Sequence, residues 1–217
     1  MSEETSEGPD WDDPTTGAVP KEELPDEIVE NVPYWDTDPY LDRVSDRLMY
    51  NYDLSKDHRV AGETWPLYGE MRVLTQKQFF HPALSYGDHE AEEYLFVTRR
   101  ARPSVAALER LVALGHDLAD ERVDGDEEHY RTDLTFVVVA ETIPEDVADY
   151  VADFRDRTLL KFGYYGHYEI NLVVVAPDAE RLVSSEQADV ASAFALWANV
   201  ERESPGFLSR IARRFWG

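Results

Sequence analysis

The sequence contains no cysteine, few lysines and no long apolar run. The absence of cysteine from the 217 residues excludes disulfides, thiolate zinc sites, iron–sulfur clusters and cysteine nucleophiles. No run of about 18 apolar residues occurs, and the first ten residues are acidic, so the sequence predicts neither a membrane-spanning helix nor a signal peptide. We therefore expect a cytoplasmic protein.

Acidic residues dominate the charge. The chain has 45 Asp and Glu against 21 Lys and Arg, and its net charge is −24, yet 43% of its residues are hydrophobic, which is enough for a folded core. Such a charge destabilises a compact chain in dilute buffer, whereas molar salt shortens the Debye length to about 3 Å and screens the repulsion. The composition predicts a haloarchaeal source and argues against nucleic acid as a partner, because the body of the chain has no basic stripe to bind phosphates.

Charge and proline content divide the chain into three parts. Residues 1–38 contain 13 acids, one lysine and five prolines, which predicts a disordered acidic leader. Residues 39–200 have the periodicities of one folded domain, and residues 201–217 have those of a separate helix.

The domain alternates helices and strands. Asp38-Pro39 is a typical helix start, predicted to open a helix of about 15 residues, and a hairpin or two strands are expected within 61–80. Further elements are predicted as follows: a strand at 94–97, a helix from 105 to near 120, a buried strand at 134–140, a helix from 143, a second buried strand at 170–176 and a last helix at 187–197. This order predicts an α/β domain with a mixed, mostly parallel central sheet flanked by helices.

The order of elements from residue 39 resembles the core of the restriction-endonuclease-like fold. That resemblance implies an acid before the third strand and a Glu-x-Lys within it. Asp88 would be the acid, but the Glu-x-Lys positions contain Val97 and Arg99. If the chain has this fold, the resemblance implies a degenerate active site.

Histidines and carboxylates are densest between residues 81 and 93. Within this run Asp88, His89 and Glu93 could bind zinc, iron or manganese, with Glu70 from outside the run as an added ligand. A solvated acidic loop is the simpler interpretation, because any histidine in so acidic a sequence has carboxylate neighbours by chance. The sequence contains no Gly-x-Ser-x-Gly elbow and no glycine-rich phosphate loop, so no cofactor is expected.

The most unusual segment precedes the second buried strand. Aromatic, basic and glycine residues alternate there, and the candidate binding residues are Lys161, Phe162, Tyr164, Tyr165, His167 and Tyr168. Aromatic side chains offer a large contact area, and glycines allow a ligand to approach the backbone. The segment is either a binding loop or a turn that packs on the core.

The carboxyl-terminal segment is basic, unlike the rest of the chain. As a helix it would place apolar side chains on one face and arginines beside them, the docking residues being Phe207, Leu208, Arg210, Ile211, Arg214, Phe215 and Trp216. It could make peripheral membrane contact, pack on its own domain or enter a groove of a partner protein.

The acidic leader, the segment Phe162-Gly-Tyr-Tyr-Gly-His-Tyr168 and the domain pattern together resemble an uncharacterised haloarchaeal family, a domain of unknown function. The resemblance implies no activity. Our main hypothesis is a non-enzymatic binding or adaptor domain with a protein partner. The alternative is a metal-dependent hydrolase or nuclease relative.

Overall fold

The computed structural model describes residues 33, 35, 37–76, 88–123, 125, 126 and 129–198, with only the backbone at 74–76 and 88–90. This part of the chain forms one sheet with helices on both faces. Its elements are α1 (Pro39–Leu48), β1 (Asp53–Val60), β2 (Glu63–Gln76), β3 (Asp88–Arg99), α2 (Val105–Arg122), β4 (His129–Val139), α3 (Glu145–Asp153), β5 (Asp156–Leu159), β6 (His167–Ala176), β7 (Arg181–Ser184) and α4 (Ala191–Phe194). Short 3-10 turns lie at Leu160–Gly163 and Pro177–Ala179.

The strands are ordered β1-β2-β3-β4-β6-β5, and β7 pairs with the second half of β6. The predicted α/β class, with a mixed sheet flanked by helices, is confirmed. The sheet is not mostly parallel, however, because only β3–β4 and β4–β6 are parallel pairs and the other four are antiparallel. Parallel pairing requires a long crossover, which only α2 and α3 provide, whereas the remaining strands pair antiparallel with their neighbours.

Helix α1 begins where the sequence predicts and is shorter than expected. The Asp38 side chain accepts the Leu41 amide at 3.1 Å, and Pro39 occupies the first turn. The helix ends at Leu48, because the amides of Asn51 and Tyr52 both turn back to its carbonyl and lead into β1.

One face of the sheet, here called the aromatic face, lies under α2 and α3. Its core contains Trp65, Phe96 and Phe136, whose ring centroids are 5.1 to 5.8 Å apart. Helix α2 packs closely here, because a Cβ at its Gly115 would lie 2.9 Å from Ile170 Cδ1. Burial of such rings is a major source of stability.

The other face, here called the mixed face, lies under α1 and the chain that includes α4. Its apolar part contains aliphatic side chains such as Leu95 and Val137, with Phe194 above them. The predicted helix over 187–197 is confined to α4. The carbonyls at the end of α4 accept hydrogen bonds from α1 side chains. The Tyr40 hydroxyl donates to the Phe194 carbonyl at 2.7 Å, and Arg47 donates to the Ala195 carbonyl at 3.1 Å.

Strand β1 forms an edge of the sheet. Its sequence is polar, and four successive residues, 56–59, are Lys, Asp, His and Arg. The pairing with β2 keeps one register but skips Asp57, which has a positive φ of 50°. A charged edge with an irregular centre is typical of strands that do not pair further.

The element order helix, three strands, helix, strand agrees with the order on which the restriction-endonuclease-like resemblance was based. Val97 is fully buried in the mixed face, and Arg99 forms an ion pair with Asp38 at 2.6 Å. The relationship to that fold remains a prediction.

Candidate functional site

The aromatic segment forms the end of the hairpin that joins β5 to β6. Leu160 and Gly166 close it through an amide-to-carbonyl hydrogen bond of 3.0 Å. Lys161 and Phe162 adopt left-handed backbone conformations, with φ of 45° and 61°. Side-chain-bearing residues rarely adopt this conformation, and such strain is most often kept at functional positions.

The outer part of this hairpin exposes large apolar side chains. Phe162 is 96% exposed, Tyr164 88% and Leu159 58%. We call residues 159–164 the hairpin tip. Exposed aromatic side chains that cluster in this way typically mark interaction sites.

The base of the hairpin is fixed to the start of β4. His129 Nδ1 lies 2.7 Å from the Tyr165 carbonyl, to which it must donate, so in the neutral ring Nε2 accepts the Thr132 hydroxyl at 2.9 Å. At Gly166 a Cβ would lie 2.0 Å from the Tyr130 carbonyl oxygen, and φ is +71°, so only glycine fits.

Helix α2 holds the same hairpin from the aromatic face. His116 Nε2 lies 3.1 Å from Asp156 Oδ2, and His116 Nδ1 lies 2.9 Å from the Tyr168 hydroxyl. Because a carboxylate only accepts, Nε2 donates, and in the neutral ring Nδ1 accepts from the tyrosine. These bonds join β5 and β6 to the helix, so a rigid base supports the tip.

A row of carboxylates crosses the mixed face close to this hairpin. Glu93, Asp133 and Glu169 are in register on β3, β4 and β6. Arg131 lies among them, with Nε 2.7 Å from Asp133 and Nη2 3.0 Å from Glu169, which also pairs with Arg157. We call these five residues the polar row.

The electrostatics of the polar row are unequal. Burial, reinforced by the Asp133 charge, raises the pKa of Glu93 to about 8. Burial works to lower the pKa of Arg131, but Asp133 and Glu169 hold it above its ordinary value. Two arginines thus match two of the three carboxylates, and Glu93 keeps its proton at neutral pH.

Two further polar groups lie beside the row. Burial and the Glu93 charge raise the pKa of Tyr52, whose hydroxyl has no hydrogen-bond partner with good geometry among the described residues. Burial, followed by the Arg157 charge, lowers the pKa of His167 to about 4. Within the row Glu93, Arg131 and Glu169 are buried, whereas the Arg157 side chain is half-exposed.

Of the residues predicted as metal ligands, the structure describes the side chains of Glu93 and of Glu70, the added candidate, and separates these two. Glu93 lies opposite Met71 in the pairing of β2 and β3, and Glu70 lies opposite Tyr94, so the two glutamates are on different faces. The side chains of Asp88 and His89 lie outside the described residues. Among the side chains that are described, no three histidines or acids are placed to hold a metal ion.

The six predicted binding residues occupy one hairpin but play different parts. Lys161, Phe162 and Tyr164 are exposed, Tyr165 and His167 are half-buried, and Tyr168 is buried. The tip therefore points to solvent and its base packs on the core, while binding at the tip stays a prediction. Four residues of the predicted leader, 33, 35, 37 and 38, are described, and Trp35 is buried in the mixed face with its indole Nε1 donating to the Pro66 carbonyl at 2.7 Å. The other leader residues and the docking residues of 201–217 lie outside the described residues.

The sequence did not predict the polar row or the contact between His116 and Asp156. The signal for the row was present, since Arg131 and Asp133 alternate with buried residues at the start of β4, as Glu169 does in β6. Nothing local in the sequence links His116 to Asp156, which is 40 residues away.

Comparison with known proteins gives a family and no more. A family model described as Domain of unknown function (DUF8052) matches residues 36–196. Neither the curated proteins nor the solved structures include a match to this chain. Of the described helices, none has both the length and the apolar character needed to cross a bilayer.

Proposed function

The chain belongs to the DUF8052 family of unknown function, and from its geometry we propose that it is a non-enzymatic binding or adaptor domain that docks on a partner protein through the hairpin tip. The near-complete exposure of Phe162 is the observation that best supports this proposal. The haloarchaeal, cytoplasmic setting expected from the composition belongs to the same proposal.

The tip can supply enough free energy for specific binding. Full burial of a large apolar side chain contributes about 1.5–3 kcal/mol, and the tip exposes Leu159, Phe162 and Tyr164. Tyrosine is enriched among the few residues that dominate protein interfaces. In molar salt, charge contacts are screened, so apolar burial would dominate the affinity.

Pre-organisation lowers the entropic cost of docking. His129 holds the Tyr165 carbonyl, and His116 holds β5 and β6, so the base of the tip is already ordered before a partner arrives. A loop that is fixed in its bound conformation loses less entropy on binding.

A protein partner explains the tip better than a bilayer. Between Arg157 and Tyr168 there is no acid, whereas acids are about a fifth of the chain, so the tip fits an apolar pocket with an acidic rim. An anionic bilayer would be repelled by the remaining acidic surface, and three side chains give little insertion.

Site-specific photocrosslinking in the full-length protein tests the proposal. A photoreactive phenylalanine is placed at Phe162, at Tyr164 or, as control, at Tyr50, which is 59% exposed and lies outside the hairpin. Lysate is kept in molar KCl. We expect one and the same protein to crosslink at the first two positions and not at the third.

The crosslinked protein is then purified and titrated with the unmodified chain. Phe162→Ser with Tyr164→Ser should weaken its affinity at least about 100-fold, because two anchors are lost, and Tyr50→Ser should not. Affinity that survives the double substitution contradicts the proposal. Flotation with anionic vesicles separates the other possibility: binding that needs Phe162 and no protein would make the tip a lipid anchor.

The same flotation applies to the carboxyl-terminal segment. If peripheral membrane contact resides there, a chain ending at Ser204 should leave the vesicles while the Phe162→Ser variant stays. The two sites are thereby distinguished.

The metal-dependent alternative gains no support from the described side chains. Its candidate ligands were Asp88, His89 and Glu93, with Glu70 as an addition, and only Glu93 and Glu70 have described side chains, which lie on opposite faces of the sheet.

A further inference from the structure

Three arginines lie within four positions at the end of β3, in the sequence Arg99-Arg100-Ala101-Arg102. Arg99 is already neutralised, because its Nε and Nη2 atoms each lie 2.6 Å from an oxygen of Asp38. Arg100 is exposed and forms no ion pair with any described residue. A free guanidinium is therefore available at this edge of the sheet.

Arg100 lines a cleft of about 310 Å³ at the carboxyl ends of β3, β4 and β6. The start of α1 closes its other side. Ligand pockets in proteins begin at roughly 300 Å³, and in α/β proteins they lie preferentially beyond the carboxyl ends of parallel strands. The size and the place both suit a small molecule.

The cleft contains charges of both signs that do not pair. Glu141 and Asp178 also line it, and neither has an ion pair with a described residue, so neither reaches Arg100 within the 4.0 Å of a salt bridge. Water and counterions solvate these exposed charges in the free protein, and a ligand that carries charges of both signs could pair with Arg100 and with the two carboxylates at once.

We propose that this cleft binds a small zwitterion of the amino-acid class. Arg100 receives the carboxylate, and Glu141 and Asp178 receive the ammonium group. A simple anion would be repelled by the two carboxylates, and a simple cation by the guanidinium. Val139 and Pro177 supply an apolar wall for the ligand's side chain.

This inference does not depend on the proposed function. The cleft lies at the carboxyl edge of the parallel strands, whereas the hairpin tip precedes β6 at their amino edge. Binding at one can therefore be tested without the other.

Calorimetric titration of the full-length protein tests the inference, at the lowest KCl concentration at which thermal unfolding shows the protein to be folded, because salt screens charge contacts. The probes are the standard amino acids, with acetate and ethylamine as the two half-ligands. We expect at least one amino acid to bind with a Kd of about 1 mM or below, and neither half-ligand to do so.

Charge-removing variants then locate the site. Arg100→Gln and Glu141→Gln should each weaken binding at least about tenfold. Arg110→Gln and Glu121→Gln, matched changes at exposed positions of α2, should leave it unchanged. All four positions are on the surface, so the fold is expected to persist, and thermal unfolding checks this.

Three results would overturn the inference. The first is that no amino acid binds up to about 10 mM. The second is that acetate binds as tightly as the best amino acid and does so independently of Glu141, which would indicate an anion site. The third is that the Arg110→Gln variant loses as much affinity as the Arg100→Gln variant.

Discussion

The aromatic face of the sheet packs rings against rings, whereas the mixed face buries a row of charges beside its aliphatic side chains. Phe136 and Asp133 belong to the same strand, β4, and alternate sides. Helices cover both faces, but the aromatic face is stabilised by close packing of rings, whereas the mixed face also depends on ion pairs. The difference teaches that burial by itself does not decide what a strand may contain; each buried charge needs a partner or a proton.

The largest expected effect comes from removing the central cation of the polar row. Arg131→Met leaves Asp133 and Glu169 buried without it, and the free energy of unfolding should fall by about 3–5 kcal/mol. Denaturant titration measures the change. Arg110→Met, at an exposed position of α2, is the control, and an equal loss in both variants would refute a special role for the row.

A pH titration of stability examines Glu93. Its pKa of about 8 in the folded protein exceeds the ordinary value of 4.5, so the folded state holds this proton in the range where the unfolded chain has lost it. Stability should fall as pH rises from about 5 to 8, by at most roughly 1.4 kcal/mol per pH unit, and level off above. Glu93→Gln should remove this decline.

His167 acts in the opposite direction at lower pH. Its pKa of about 4 in the folded protein lies below 6.5, so stability should rise as pH increases from about 4 to 6.5.

The contribution of Glu93 is separated from that of His167 by the difference in free energy of unfolding between the wild type and the Glu93→Gln variant. A difference that does not change between pH 6 and 9 would mean that Glu93 is ionised throughout.

A smaller effect is expected on the aromatic face. Gly115→Ala places a methyl group 2.9 Å from Ile170 Cδ1 and 3.0 Å from Phe136 Cε2, and the resulting overpacking should cost about 1–3 kcal/mol. Thermal unfolding of the variant measures it. Combining Gly115→Ala with Ile170→Val should recover part of the loss, and no recovery would show that the strain lies elsewhere.

The smallest effect is expected at the hairpin tip. Phe162→Ser removes a ring that is 96% exposed, so the free energy of unfolding should change by less than about 0.5 kcal/mol. Denaturant titration of the isolated protein checks this. A loss above about 1 kcal/mol would show that the ring packs within the chain and is not held for a partner.

The central part of the fold was predictable from the sequence. Continuous β-branched runs identified β4 and β6, and apolar spacing after Pro103 identified α2. The sequence did not predict strand β1, because it is a polar edge strand without clear alternation. Strands β5 and β7 escaped because four residues are too few to show a period.

The candidate site was predictable in part. Glycines among aromatics at 161–168 indicated the hairpin, but which rings face solvent depends on Lys161 and Phe162 being left-handed, and no residue type there demands that conformation. The cleft was not predictable, because Arg100, Glu141 and Asp178 come together only through the pairing of β3, β4 and β6.

The charged edge strand β1 affects whether molecules of this protein can associate through their sheets. A neighbouring molecule that extended the sheet there would have to align its backbone with the charged residues Lys56, Asp57, His58 and Arg59. It would also have to pair with Asp57, whose backbone has a positive φ. Two copies meeting edge to edge would place unlike and like charges in mismatched register. A charged and irregular edge of this kind therefore disfavours growth of the sheet from one molecule into the next.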